Sequence, residues 1–261
     1  MRVAIFSDVH GNLTAFEAVL AHIKQQTPDL TIFAGDLCLL GARPKACLER
    51  LRDENIPAVH GNTDRMLSNQ PLLSRDIEAE KYARNQKIDD SVGWTRSQLD
   101  EMDLAYLFEL PFHNRVSPGV NPKDDLFIVH ANPRDVDQPI FPPVSLQEKL
   151  LGEIKQPDND PTLRHLLEDL DTGVLAFGHI HIPNVRRWQG HTGPITLANI
   201  SSVSLPLDGD SRAKYGLLTW EDGHGWTIEH QYVPYNINQE KELLREYKPP
   251  NWQSLSDRLG E

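Results

Sequence analysis

The chain has 261 residues, enough for one large α/β domain with a substantial core. A formal net charge of −12 excludes a broad basic face for duplex nucleic acid, yet is compatible with a small phosphorylated substrate held through metal. Two cysteines, Cys38 and Cys47, are too few for a disulfide framework, and no run approaches the ~20 apolar residues of a membrane span, so a soluble cytoplasmic protein is expected.

Val3 to Phe6 is a short apolar run of the kind that forms a buried strand, and it ends in Ser7-Asp8-Val9-His10-Gly11-Asn12. Ligands of open α/β sheets bind beyond the carboxyl ends of the strands. There Asp8 and His10, two apart on an extended segment, either grip one cation or are an ordinary turn carboxylate and surface histidine. Gly11 permits a sharp turn, and Asn12 caps the amphipathic run Leu13, Phe16, Val19, Leu20, Ile23, whose N-terminus suits an anion. Leu30 to Ala34 reads as a second strand ending in Gly35-Asp36, and Pro44 opens a helix with Cys47, Leu48 and Leu51 on one face. Ile56 to Val59 reads as a third strand running into His60-Gly61-Asn62-Thr63-Asp64, which completes a parallel β-α-β-α-β unit.

From Arg65 to about Leu110 the composition turns helical, and a cap beside the site is expected rather than a separate domain. Its cations, Arg65, Arg75, Lys81, Arg84, Lys87 and Arg96, lie among acids and read as a solvated surface. Leu126 to Val129 is a further strand, ending at His130. A loop-like segment follows to Pro161, with helical character from Leu146 to Ile154 and again from Thr162 to Leu170. The strand Gly173 to Phe177 then ends in Gly178-His179-Ile180-His181. Asn184 to Trp188, Ile195 to Ala198, Tyr215 to Trp220 and Trp226 to Val233 are strands expected to build a second sheet packed on the first. From Asn238 onward a helix and a Pro-containing polar tail carry no evident chemistry.

Asp8, His10, Asp36, Asn62, His130, His179 and His181 all fall within a few residues of a strand terminus. Singly, each has a structural explanation; together at one edge they point to metal. Imidazole, carboxylate and amide donors suit Mn²⁺, Fe or Zn²⁺ better than Mg²⁺ or Ca²⁺. Asp36 is placed to bridge two cations, which could clamp the oxygens of a phosphorus centre.

The blocks Asp8-x-His10, Gly35-Asp36, Gly61-Asn62-x-Asp64, His130 and Gly178-His179-x-His181 resemble, in order and approximate spacing, the calcineurin-like metallophosphoesterases, over roughly residues 1–233. The resemblance implies a four-layer α/β/β/α sandwich of two mixed β-sheets. It implies two divalent metal ions, with Asp8, His10 and His181 on one, Asn62, His130 and His179 on the other, and Asp36 shared. The run from Asp8 to Leu20 looks like a small bacterial and archaeal branch that includes phosphodiesterases, serine/threonine phosphatases and diadenosine polyphosphate hydrolases, and Leu205 to Arg212 is similar to a late piece of that branch. Two departures stand out. Many members have histidine where this chain has Thr63, and Asn199-Ile200-Ser201-Ser202-Val203-Ser204 replaces an Asn-Pro-Gly-Ser-Val-Gly-like loop, which implies a stiffer or displaced substrate-side loop.

The expected activity is therefore hydrolysis of a phosphodiester, a phosphoanhydride or an activated phosphomonoester by a metal-bridging hydroxide, with Asp36 and Asn62 as catalytic residues and Asn12 and Thr63 meeting the phosphate. The substrate is expected to be a small phosphorylated compound, nucleotides included. Without an acid at Thr63 the leaving group must be good, since His60 precedes the turn. A serine/threonine protein phosphatase and a non-catalytic metal-binding scaffold of the same fold are the alternatives.

Overall fold

The computed structural model describes residues 1–68 and 79–260; Arg75 and the side chains of Lys81 and Arg84, expected on the helical surface, lie outside what it describes. Strand β1 (Arg2–Phe6) leads into α1 (Leu13–Gln26), and β2 (Leu30–Phe33) returns parallel to β1, with Val3 opposite Leu30 and Phe6 opposite Phe33. After α2 (Pro44–Asp53) the strand expected over 56–59 is reduced to a single bridge between Phe33 and Ala58. Pro57 has no N–H to extend the ladder; its carbonyl accepts from Phe33 N–H (2.9 Å), Val59 N–H donates to Phe33 O (3.0 Å), and the chain then turns off.

Helices α3 (Asn62–Ser68), α4 (Ala79–Ser97) and α5 (Glu101–Glu109) follow, the first beginning three residues ahead of the expected Arg65. Strand β3 (His113–Val116), absent from the sequence reading because its residues are largely polar, pairs antiparallel with β4 (Leu126–Val129) at a sheet edge. Then come α6 (Val144–Leu151), α7 (Pro161–Leu167), β5 (Val174–Phe177), β6 (Asn184–Gly190), β7 (Gly193–Asn199), β8 (Ala213–Glu221), β9 (Gly225–Val233), α8 (Ile237–Tyr247) and α9 (Trp252–Arg258). The expected polar tail thus contains a second helix. Among the described residues no helix is long and apolar enough to cross a membrane.

The late strands do not make a sheet of their own. One sheet has the order β2-β1-β8-β9 and the other β3-β4-β5-β7-β6, so one hairpin completes each sheet. The parallel strands β1 and β5 each gain a neighbour on their open side, which leaves no long apolar edge at the centre. Alternation along the strands then builds the layers. Ala4 and Phe6 face α1, α2 and α5 through Phe16, Leu48 and Leu107. Val3 and Ile5 face Leu126, Ile128 and Val174 between the sheets. Phe127, Val129 and Leu175 face Leu163 and Leu166 of α7. These three cores make a four-layer α/β/β/α sandwich, with both faces of β1, β4 and β5 buried. Helix α8 docks on α1 through the buried Glu240, which accepts from Thr14 Oγ1 at 2.6 Å and pairs with Arg43 at 3.2 Å.

Candidate metal centre

The loops leaving β1 and β2 continue side by side past the strands, with Asp8 N–H on Gly35 O (2.9 Å), His10 N–H on Asp36 O (3.0 Å) and Gly11 N–H on Leu37 O (2.8 Å). Those leaving β4 and β5 are tied by Gly178 N–H on His130 O (2.8 Å). Asp8 and His10 are not on extended backbone as expected: their φ angles are 57° and 47°, and Asp36, His179 and His181 take 66°, 67° and 59°. Left-handed backbone at a residue with a Cβ costs about 1–2 kcal/mol. The tight turns aim these five side chains into one space between the two sheets. Two glycines make that space: a Cβ at Gly61 would overlap Asp36 Oδ1, and one at Gly178 would overlap Ser7 Oγ and Asp8 Oδ2.

All seven expected donors come together. His181 Nε2 is 3.0 Å from Asp8 Oδ1 and 3.3 Å from His10 Nε2. His130 Nε2 is 3.0 Å from Asn62 Oδ1 and 3.2 Å from His179 Nδ1. Between these groups Asp36 Oδ2 lies 3.9 Å from His10 Nε2 and 3.5 Å from His130 Nε2. Asp8, His10 and His181, and likewise Asp8, Asp36 and His130, are buried and offer donor atoms within 4.8 Å of one another.

The outer contacts of the imidazoles decide what those inner atoms are. Nδ1 of His10, His130 and His181 each lies against a backbone carbonyl, Leu39 O at 3.2 Å, Ala34 O at 3.0 Å and Leu205 O at 2.7 Å. A carbonyl only accepts, so each Nδ1 carries the hydrogen and, in the neutral ring, each Nε2 lone pair points inward. Lone pairs then face lone pairs or carboxylate oxygens at about 3 Å, the edge length of a shell with ~2.1 Å bonds. Only protons or cations relieve that. The donor set fits a divalent transition metal, and an outer carbonyl on the imidazole is the usual orienting partner of a metal-bound histidine.

The titrations carry the same tension. Burial acts to raise the Asp8 carboxyl, but the charge of His181 and the hydrogen bonds of His10 and His181 hold it well below the ordinary carboxylate range. Burial likewise acts to lower His10 and His130, and the Asp8 and Asp36 carboxylates raise both on balance. His179 is brought down to about 4 by burial and then by the neighbouring His130.

A family model for the calcineurin-like phosphoesterase superfamily domain matches residues 1–223. The chain belongs to this superfamily. Membership makes it a hydrolase of phosphoester bonds. It is 29% identical to an uncharacterised protein of Methanocaldococcus jannaschii, MJ0912, over 98% of this chain and 96% of that one. It is also 25% identical to the phosphodiesterase YfcE of Escherichia coli, over 84% and 87% of the two chains. A crystal structure of a metallophosphoesterase from Sphaerobacter thermophilus superposes with a TM-score of 0.68 at 26% identity, covering 99% of this chain and 98% of that one.

Against the superfamily pattern, the residues around the donors have distinct tasks. Asn12 Oδ1 accepts from Ala15 N–H (2.9 Å) as the cap of α1, and its Nδ2 donates to Ser204 Oγ at 3.3 Å, so its side chain is already engaged. Thr63 donates its backbone N–H to Asp36 Oδ1 at 3.0 Å, and its buried hydroxyl has no hydrogen-bond partner among the described residues. Asp64, the last residue of the third motif block, is a backbone clamp. Its carboxylate accepts from Asp36 N–H and Gly61 N–H, both at 2.8 Å, and from Leu37 N–H at 3.0 Å. Burial and then the charge of Asp36 raise its pKa. The serine-rich loop is tied to the metal-centre loops by hydrogen bonds. Ser201 takes φ 70°, its hydroxyl donates to His181 O (3.1 Å), and Ser202 Oγ donates to Asp8 O (3.0 Å). Sequence reading missed Ser7, whose hydroxyl donates to Asp8 Oδ2 at 2.6 Å; its place before the first donor was the only signal.

Proposed function

We propose that the chain hydrolyses phosphodiesters, phosphoanhydrides or activated phosphomonoesters with two divalent transition-metal ions, manganese first among them. Asp8, His10 and His181 would hold one ion and Asn62, His130 and His179 the other, with Asp36 shared. The observation that carries this reading is Asp36 Oδ2, within 3.9 Å of His10 Nε2 and 3.5 Å of His130 Nε2, a single carboxylate oxygen in reach of both donor groups. Ions bound there supply Lewis acidity toward phosphoryl oxygens and lower the pKa of bound water.

The chain's own residues set the substrate limits. Thr63 has a hydroxyl too weakly acidic to protonate a leaving group at neutral pH. His60, brought down to about 4 by burial and then by Arg65, carries no acidic proton there either. Good leaving groups are therefore favoured, and the rate is expected to fall steeply as the pKa of the leaving phenol rises across a series of aryl phosphodiesters.

The deciding experiment is manganese-dependent hydrolysis of bis(p-nitrophenyl) phosphate by the wild-type chain and by Asp36→Asn. Equal turnover by the two proteins overturns the shared role of Asp36. Stoichiometric manganese with no turnover on any phosphorylated compound would turn the reading to the scaffold alternative.

A further inference from the structure

We propose a second small-molecule site, for a planar heteroaromatic ring bearing one phosphate, in a cavity of about 420 Å³ between β6 and β9. It lies at the far end of the sandwich from the metal centre: Gly173 and Val174, which line it, open β5, whereas His179 follows the other end of that strand. Strand register sets Val174, Thr196 and Arg187 in one row across β5, β7 and β6. Val174 packs in the core between the sheets, so this row faces the gap where the sandwich is open along its two edge strands.

The chemistry of the cavity is aromatic on one wall and cationic on the other. Trp220 and Trp226, from the hairpin of β8 and β9, stand with ring centroids 5.7 Å apart and planes at 54°. The second ring is fixed by its Nε1–H, which donates to Asp124 O at 2.6 Å. Indole faces held this way accept a flat ring without having to order first. Opposite them Arg187 is exposed and has no hydrogen bond or ion pair with any described residue, in a chain whose acids outnumber its bases by 38 to 26. Lys123 adds an ammonium, already shared with Asp171 (2.7 Å) and Thr192 Oγ1 (3.0 Å). Asp124 also lines the cavity. The cation left without a partner is thus Arg187, which suits one phosphate forked onto a guanidinium and not a polyphosphate chain. This site is independent of the proposed catalytic reading.

The test is calorimetric titration of the metal-free 261-residue chain with AMP, followed in parallel by tryptophan fluorescence. AMP is expected to bind with one equivalent, to quench emission, and to bind unchanged in Asp36→Asn. Arg187→Ala should weaken it by at least about tenfold, as should replacing AMP with adenosine or inorganic phosphate. Hydrolysis of bis(p-nitrophenyl) phosphate should not change in Arg187→Ala, and Trp220→Phe should remove most of the quench. Loss of AMP binding in Asp36→Asn would assign it to the metal centre and overturn the proposal. So would equal affinity in Arg187→Ala, or maltose quenching as well as AMP. Should Trp220→Phe fail to fold, the Arg187 variant decides alone, because that side chain is exposed and partnerless.

Discussion

The loops at the carboxyl ends of β1, β2 and β5 and the hairpin turns at the opposite end of the same sheets both need left-handed backbone, and they fill it with different residues. At the hairpin end the positions are Gly193, Gly223 and Gly225; at the other Asp8, His10, Asp36, His179 and His181 stand beside Gly11 and Gly35. Glycine removes the steric cost wherever only the turn matters. Where the side chain itself is the product of the turn, the chain keeps it and tolerates about 1–2 kcal/mol per residue. The hydrogen bonds of Asp64 and of the serine loop are what hold those turns in place.

The comparison is most strongly tested by Asp36→Asn, which is expected to lower manganese-dependent turnover on the order of 100-fold or more, since it removes a charge both donor groups share. Asp64→Asn should follow. It turns an amide NH₂ toward at least one backbone N–H, costing about 1–3 kcal/mol in denaturant unfolding and loosening manganese binding roughly tenfold. The leaving-group series comes next, as a slope. In pH, burial opposes but the carboxylates prevail in raising His10 and His130, so in the metal-free protein these two keep a proton to higher pH than a free imidazole does, and a cation competes with it, whereas His179, at about 4, is already neutral at pH 7. Manganese affinity is therefore expected to fall as pH drops from 8 toward 6, by about tenfold per unit for each proton released, readable as proton release in calorimetry. The smallest effect belongs to the hairpin end. Gly223→Ala, at φ 76° with nothing within 4 Å of the added carbon, should cost about 1 kcal/mol of stability and leave turnover alone.

Much of the centre is legible because four donors stand one or two residues beyond an apolar run: Asp8 after Val3 to Phe6, Asp36 after Leu30 to Ala34, His130 after Leu126 to Val129 and His179 after Val174 to Phe177. The residues reveal which groups arrive at the strand ends but not the backbone that delivers them. The left-handed turns at Asp8 and His10 therefore read as extended chain. Pro57 is visible in the sequence, but the apolar run around it masks its consequence for the third strand. Strand β3 has little apolar signal, because its strand-ness comes from pairing with β4. The partition of the last hairpins between two sheets is a tertiary choice that periodicity does not encode. The task of Asp64 is hidden because a carboxylate that clamps N–H groups and one that donates a proton look alike in sequence. The cavity with Arg187 and Trp226 was out of reach, since its walls come from segments far apart in the chain.

Both donor groups draw on both sheets: Asp8, His10 and Asp36 from the loops beyond β1 and β2, His130, His179 and His181 from those beyond β4 and β5. An ion seated in either group would therefore be a rivet through the two halves of the sandwich. Neither proposed ligand set would be complete until the growing chain had passed residue 179, so loading the centre and closing the molecule would belong to a single late step, and stripping it would let the halves part from that end first.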